Sequence, residues 1–263
     1  MDLGLKGKVA LVTGASRGLG FATARLLSQE GALVAINSRS ASALQTAADS
    51  ISTSSGNKVC AFAGDIAQAQ YPEALVKEVI NSFGQIDILI TNAGGPPAAG
   101  FEALDDTAWQ KAFELTFMSH VRLIRAALPY LKKSAVASVL TVTSLSSKQP
   151  IPNLILSNSI RAATVGLTKT LALELGAAGI RFNSILPGWT ETERVQELME
   201  SRSKANGTTI EEEITRQSKE SPLGRMATPE EFASSAVFLA SPVASYMTGV
   251  MLSVDGGMYK GIF

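Results

Sequence analysis

Val9-Ala10-Leu11-Val12-Thr13-Gly14-Ala15-Ser16-Arg17-Gly18-Leu19-Gly20 is the stretch from which the rest of the chain is read. Its opening is a short apolar run without alternation, which a strand buried on both faces requires. Glycines follow at 14, 18 and 20, and the chain then passes directly into a helical period over Gly18–Gln29. Glycine allows a sharp turn and a close approach of backbone to ligand, while a helix N-terminus offers unpaired N–H groups and the positive end of its dipole. Strand, glycine turn and helix in that order form a pyrophosphate cradle at the start of a βαβ unit, so the stretch points to a dinucleotide. Its candidate contacts are Gly14, Ser16, Arg17, Gly18, Leu19 and Gly20.

Outward from there, β-branched runs alternate with helical stretches. Strands are predicted at 9–13, 33–37, 59–63, 88–91, 138–143, 181–186 and 250–254, and helices at 18–29, 41–52, 72–82, 107–132, 154–175 and 229–239. The pattern predicts one α/β domain over 1–263, a seven-stranded, mostly parallel sheet with helices on both faces. Local signals agree. Thr228-Pro229-Glu230-Glu231 supplies a capping hydroxyl, a proline at the first helical position and a carboxylate three residues after the cap, and Gly31 and Gly84 stand where left-handed caps are useful. No linker or repeat divides the chain. The exception is 191–220, where 13 of the chain's 46 charged residues fall; it reads as a solvated excursion, either a surface helical pair or a lid over a substrate cleft.

Composition narrows the function. The 263 residues carry 23 Lys+Arg and 23 Asp+Glu, a formal net charge of zero, so no basic excess exists to neutralise a phosphate backbone and nucleic acid is not an expected partner. Charged residues make up 17% and apolar ones 46%, enough for one large core. The single cysteine, Cys60, has no internal disulfide partner and reads as a small packed residue. No apolar run approaches the ~18–20 residues of a spanning helix, and the run after Lys6 and Lys8 is too short for a signal peptide. The expected compartment is the cytoplasm, with no membrane partner and no metal site.

The end of the second strand sets cofactor choice, because a carboxylate there would bond a ribose 2′-hydroxyl and repel a 2′-phosphate. The residues are Asn37-Ser38-Arg39, with no carboxylate. Ser38 and Arg39, joined by Arg17, suit a phosphate, so NADP(H) is expected in preference to NAD(H); ordinary surface arginines are the other reading. Asp65-Ile66 and Asn92-Ala93-Gly94-Gly95 end the third and fourth strands, on the side where ligands bind such sheets.

With Pro187-Gly188, Pro222-Leu223-Gly224-Arg225 and Asp255-Gly256-Gly257, these motifs make the chain resemble the short-chain dehydrogenase/reductase family over essentially its whole length, most of all its 3-oxoacyl-[acyl-carrier-protein] reductase type. The resemblance implies a Rossmann fold, a homotetramer or homodimer, and reversible reduction of a carbonyl, in a small molecule or a 3-oxoacyl thioester, to a secondary alcohol. It also implies adenine contacts at Asp65 and Ile66, contacts on the adenine-ribose side at Asn92, Ala93 and Gly94, and nicotinamide contacts at Pro187, Gly188, Thr190 and Thr192. The region after the last strand, Asp255-Gly256-Gly257, is implied near a subunit interface.

The family's catalytic set is Asn, Ser, Tyr and Lys. Aligned on Leu140–Ser144 and Ala162-Ala163, the serine is Ser144, but Thr116, Ser157 and Arg161 stand for the other three. No Tyr-x-x-x-Lys occurs anywhere in the chain. Arg161 keeps a charge and donors for ribose hydroxyls or a carbonyl but exchanges protons poorly; Ser157 keeps a hydroxyl without phenol acidity. Candidate catalytic residues are therefore Ser144, Ser157, Arg161 and Lys148, the last either a proton source or a plain surface lysine. His120, one helical turn after Thr116, reads as packed, or as a titrating group near the site. Phe182 and Trp189 read as packing, with Trp189 within reach of substrate. A catalytically silent NADP(H)-binding protein, and an enzyme of other chemistry on this fold, stand beside the reductase reading.

Overall fold

The computed structural model describes residues 1–262. Its strands are β1 (Val9–Thr13), β2 (Leu33–Ser38), β3 (Val59–Ala63), β4 (Ile88–Thr91), β5 (Ser138–Val142), β6 (Arg181–Pro187) and β7 (Met251–Val254). The helices are α1 (Gly18–Gln29), α2 (Ala41–Ser55), α3 (Tyr71–Phe83), α4 (Asp106–Phe113), α5 (Ser119–Leu131), α6 (Ile155–Leu175), α7 (Glu193–Asn206), α8 (Ile210–Ser218) and α9 (Pro229–Ala240). The sheet runs β3-β2-β1-β4-β5-β6-β7 with every neighbouring pair parallel.

Successive strand residues point to opposite faces. Ala10, Val12, Ile36 and Ile90 enter one core with Leu27, Ile51 and Phe232 from α1, α2 and α9. Val9, Leu11, Leu89 and Phe182 enter the other with Val79, Leu123 and Ala172 from α3, α5 and α6. This double burial is the reason the strands read as unbroken apolar runs. Cys60 departs from expectation: β3 is the edge strand, and the thiol residue is only half-buried.

Connections after β1 run outward to β2 and β3, whereas those after β4 run the other way, so the order reverses between β1 and β4 and opens a crevice at their C-terminal ends. The expected capping box at Thr228 forms, with the Glu231 amide donating to Thr228 Oγ1 (3.3 Å) and the Thr228 amide to Glu231 Oε2 (2.9 Å). Gly31 and Gly84 take the left-handed conformation (φ +87° and +78°).

Two further expectations change. The helix predicted over 107–132 is broken by a π-helical turn at Glu114–Met118, where Thr116 Oγ1 donates back to the Ala112 carbonyl (2.7 Å) and the Ser119 hydroxyl to that of Leu115 (2.5 Å); such back-bonding competes with the regular ladder. The polar excursion over 191–220 is the pair α7 and α8, and it is less solvated than its composition suggests. Val195, Leu198, Met199, Ile210 and Ile214 pack onto Leu145, Trp189, Met226 and Met258 as a third apolar cluster.

Candidate active site

At the crevice lies a cleft of about 420 Å³. Its floor begins at the glycine turn. Gly14 has φ +59°, and a Cβ on Gly20 would lie 2.3 Å from the Gly14 carbonyl oxygen, so the turn closes only on glycine. Asn92, after β4, ties this turn to the sheet: its Nδ2 donates to the Gly14 carbonyl (3.1 Å), its amide to Thr13 Oγ1 (2.9 Å), and Thr13 Oγ1 donates to its carbonyl (2.8 Å). Gly18, Leu19, Ala93, Gly94, Pro187, Gly188, Thr190 and Thr192 complete this half of the cleft.

Of the expected phosphate ligands, Arg39 is exposed at the cleft and makes no hydrogen bond or ion pair with another described residue, whereas Arg17 Nη2 pairs with Glu197 of α7 at 3.3 Å. Ser38 Oγ donates to the Ser40 carbonyl (3.5 Å). Ser16, Ser38, Asp65 and Ile66 lie outside the enclosed cleft; Asp65 caps its own loop by accepting from the Ala67 amide (3.0 Å). Gly20 also stands behind the lining, beneath Gly14.

The other half holds the aligned catalytic positions. Ser144, just past β5, accepts from the Ser146 amide (3.1 Å). That contact occupies a lone pair and leaves the Ser144 proton free to donate. The Ser157 and Ser146 hydroxyls are 3.0 Å apart. Arg161, one turn along α6 from Ser157, is buried, and its Nη1 donates to the carbonyls of Val142 (3.2 Å) and Thr143 (2.9 Å). Burial, with the Arg194 charge second, pulls its pKa down to about 10.

Lys148 corrects an expectation. It does not line the cleft: its Nζ donates to the Met251 carbonyl (3.3 Å) and lies 5.2 Å from the centre of the Tyr259 ring, so the chain holds it on the far side of the loop. Sequence reading also missed Arg194. Its Nη2 donates to the Pro96 carbonyl (2.8 Å) and it lines the cleft from α7 beside Glu193 and Glu197. The only available signal was its place two residues after Thr192, inside a polar segment where any charge reads as solvated. Trp189 lines the cleft as expected, under the Arg202 guanidinium at 5.0 Å, and Phe182 is buried in the sheet core. Among the described residues no Tyr, Lys, His, Cys or Asp lines this cleft.

A family model described as enoyl-(acyl carrier protein) reductase matches residues 14–259. The 3-oxoacyl-[acyl-carrier-protein] reductase FabG of Vibrio cholerae is 33% identical over 257 residues, covering 98% of this chain and 99% of that one. The chain belongs to the short-chain dehydrogenase/reductase family. Within this family of oxidoreductases, L-sorbose reductase of Gluconobacter frateurii, complexed with NADPH and L-sorbose, superposes with a TM-score of 0.95 at 35% identity over 100% of both chains. A short-chain oxidoreductase of Pseudomonas aeruginosa PAO1, NADPH-bound and described as containing an atypical catalytic center, gives 0.88 at 32% identity over 97% of both. Ser157 and Arg161 both line this cleft.

His120 lies behind this site. Its Nδ1 is 2.6 Å from Thr91 Oγ1, and burial, aided by the Arg161 charge, lowers its pKa to about 3. The folded state therefore keeps it neutral where an unfolded chain, with a pKa near 6.5, binds a proton, so stability is full above about pH 6.5 and falls as pH drops toward 3. Because it is the chain's one histidine, the window above carboxylate titration isolates it. Urea unfolding should show a loss of about 1.6 kcal/mol between pH 6.5 and 5, the slope approaching ~1.4 kcal/mol per pH unit at the lower end, and that slope should vanish in His120→Asn. Equal slopes in both proteins would contradict the assignment.

Proposed function

We propose that this protein is an NADP(H)-dependent oxidoreductase that interconverts a carbonyl compound and a secondary alcohol. The observation that carries the proposal is a cleft with a glycine-only phosphate turn at one end and the free Ser144 proton at the other. The cofactor fits the residues present: a Cβ on Gly14 or Gly20 would strike Asn92 or the Gly14 carbonyl, so only glycine closes the turn at the cleft, and Thr190 Oγ1 is buried without a partner, suited to a carboxamide. Gly14 to Gly20 would hold the pyrophosphate, Ser38, Arg39 and Arg17 the 2′-phosphate, and Asp65, Ile66 and Asn92 to Gly94 the adenosine side. Pro187, Gly188, Thr190 and Thr192 would take the nicotinamide end, with Arg161 at its ribose.

NADPH, when bound, supplies a hydride to the carbonyl carbon. Ser144 donates its free proton in a hydrogen bond to the carbonyl oxygen. Ser157, in contact with Ser146, or a water it orders, passes a solvent proton to the same oxygen. A serine hydroxyl is a far weaker acid than a phenol held beside an ammonium, so this path relays rather than supplies, and turnover is slower. The helices α7 and α8 act as a lid, and the working form is a homotetramer or homodimer in the cytoplasm; among the described residues no helix is long and apolar enough to cross a membrane.

Arg39→Ala should weaken NADPH binding by about 10- to 100-fold, the weight of a charge-assisted contact, and leave NADH nearly unchanged. Fluorescence titration of both nucleotides checks this, and an equal loss for the two would contradict a 2′-phosphate role. The whole reading is tested by adding acetoacetyl thioesters and other ketones to the NADPH complex while following nicotinamide absorbance. The absence of Tyr, Lys and His from the cleft favours a second reading, a silent NADP(H)-binding protein, for which tight binding without turnover is the expected result.

A further inference from the structure

The start of α7 is strapped across the nucleotide half of the cleft. Glu197 Oε1 accepts from Nη2 of Arg17, in the glycine turn, at 3.3 Å, while its Oε2 lies 3.7 Å from Arg194 Nη1. Arg194 in turn donates from Nη2 to the Pro96 carbonyl beyond β4 (2.8 Å) and lies against Gly95, where a Cβ would stand 3.4 Å from its Nε. On the other flank, a Cβ on Gly18 would stand 3.4 Å from Thr192 Cγ2 and 3.7 Å from Glu193 Oε2. Arg17, Glu197, Arg194 and Pro96 all line the cleft, so one chain of contacts runs from the glycine turn through α7 to the loop after β4. The two arginines expected at a 2′-phosphate therefore differ. Arg39 has no partner among the described residues, whereas Arg17 is held by a carboxylate.

We propose that Glu197 is a specificity-determining residue for the cofactor, a latch that a 2′-phosphate releases. The phosphate seated on Arg39 draws Arg17 away from Glu197, so α7 comes loose from the glycine turn with NADP(H) and stays fastened with NAD(H). The inference rests on the NADP(H) reading and deepens it. An ion pair whose partners are both half-exposed is weak, and this one is a single contact. A phosphate offers a guanidinium two parallel charge-assisted contacts and more negative charge than a carboxylate, so it wins the competition. Glu197 is left with Arg194, and its charge and the phosphate's repel each other. The apolar seat of α7 on Leu145 and Trp189 is untouched, so the release loosens the helix without unseating it. Because the same helix begins next to Thr192, on the nicotinamide side, the latch couples the identity of the cofactor to access at the reacting end of the cleft.

The test is fluorescence titration with NADPH and NADH, at low ionic strength where surface charges count most, on the wild type, Glu197→Gln, Arg17→Gln and the double variant. Glu197→Gln should tighten NADPH by about 3- to 5-fold, the weight of an exposed ion pair, and leave NADH unchanged; in the Arg17→Gln background the gain should disappear. No gain, an equal gain for both nucleotides, or a gain that persists without Arg17 overturns the latch. Amide hydrogen exchange reads the helix itself. With each nucleotide at saturation, the amides of 193–199 should exchange several-fold faster in the wild-type NADPH complex than in the NADH complex, and alike in the two complexes of Glu197→Gln. Both complexes hold the same nicotinamide, so the difference belongs to the 2′-phosphate. Equal exchange in the wild type sinks the release, and that comparison stands even where a variant does not fold. A wild type that binds neither nucleotide removes the cofactor reading itself, whereas a preference for NADPH that Glu197→Gln does not move removes the latch alone.

Discussion

Ser157→Tyr combined with Arg161→Lys is expected to raise kcat for reduction of a neutral ketone by roughly 10²-fold or more, the contribution of a positioned general acid. Residue 157 lines the cleft on the first turn of α6, with Ser144 on the same lining, so a phenol there meets the oxygen that Ser144 holds. A lysine at 161 is one helical turn away and can lower that phenol's pKa toward neutrality. It can also keep a donor on the Val142 and Thr143 carbonyls that Arg161 now occupies. Stopped-flow rates of NADPH oxidation for the wild type, both single variants and the double variant check this. The effect should be strongly non-additive, because the phenol without the ammonium remains a weak acid at neutral pH. A double variant no faster than the wild type would mean that the cleft is not arranged for carbonyl reduction.

The other large effect is expected at Gly20→Ala. The added Cβ would sit 2.3 Å from the Gly14 carbonyl oxygen and 2.8 Å from Asn92 Nδ2, and the nearest atom is backbone, which cannot swing aside. The glycine turn must open, taking with it the Asn92 contact to Gly14 and the N-terminus of α1, where the proposed cofactor's phosphates would sit. NADPH affinity should fall by two orders of magnitude or more, as several charge-assisted contacts go together. Stability should change far less, since both hydrophobic cores lie behind the turn. Fluorescence titration and a melting curve on the same variant separate the outcomes; unchanged NADPH affinity would remove the glycine turn from the cofactor site.

Much of this architecture is legible in the chain because burial on both faces leaves unbroken apolar runs. Val9 to Val12 reads as a strand for the same reason that it packs against α1 on one side and α3 on the other. Local capping is legible at Thr228, where hydroxyl, proline and carboxylate act within four residues. Other features are not. The helix over 107–132 shows an unbroken period, yet it carries a π turn where the Thr116 and Ser119 hydroxyls each donate to the carbonyl four residues earlier, a competition with the ladder that periodicity does not register. Composition makes α7 and α8 look solvated, because the few apolar residues that seat them are outnumbered by charges on their outer faces. Lys148 and Arg194 exchange places for a similar reason. Side-chain direction follows the loop's path, which sends one ammonium to Met251 and brings an arginine from the polar segment over Pro96.

The measurement that bears most directly on the central claim is a single turnover with NADPH deuterated at its transferable position, presented with a panel of ketones and followed by mass analysis of the products. The proposed chemistry predicts an alcohol carrying one deuterium on the former carbonyl carbon, formed slowly by the wild type and faster by the Ser157→Tyr, Arg161→Lys protein. Tight NADPH binding with no labelled product from either protein would contradict it and leave a dinucleotide-binding protein without hydride transfer.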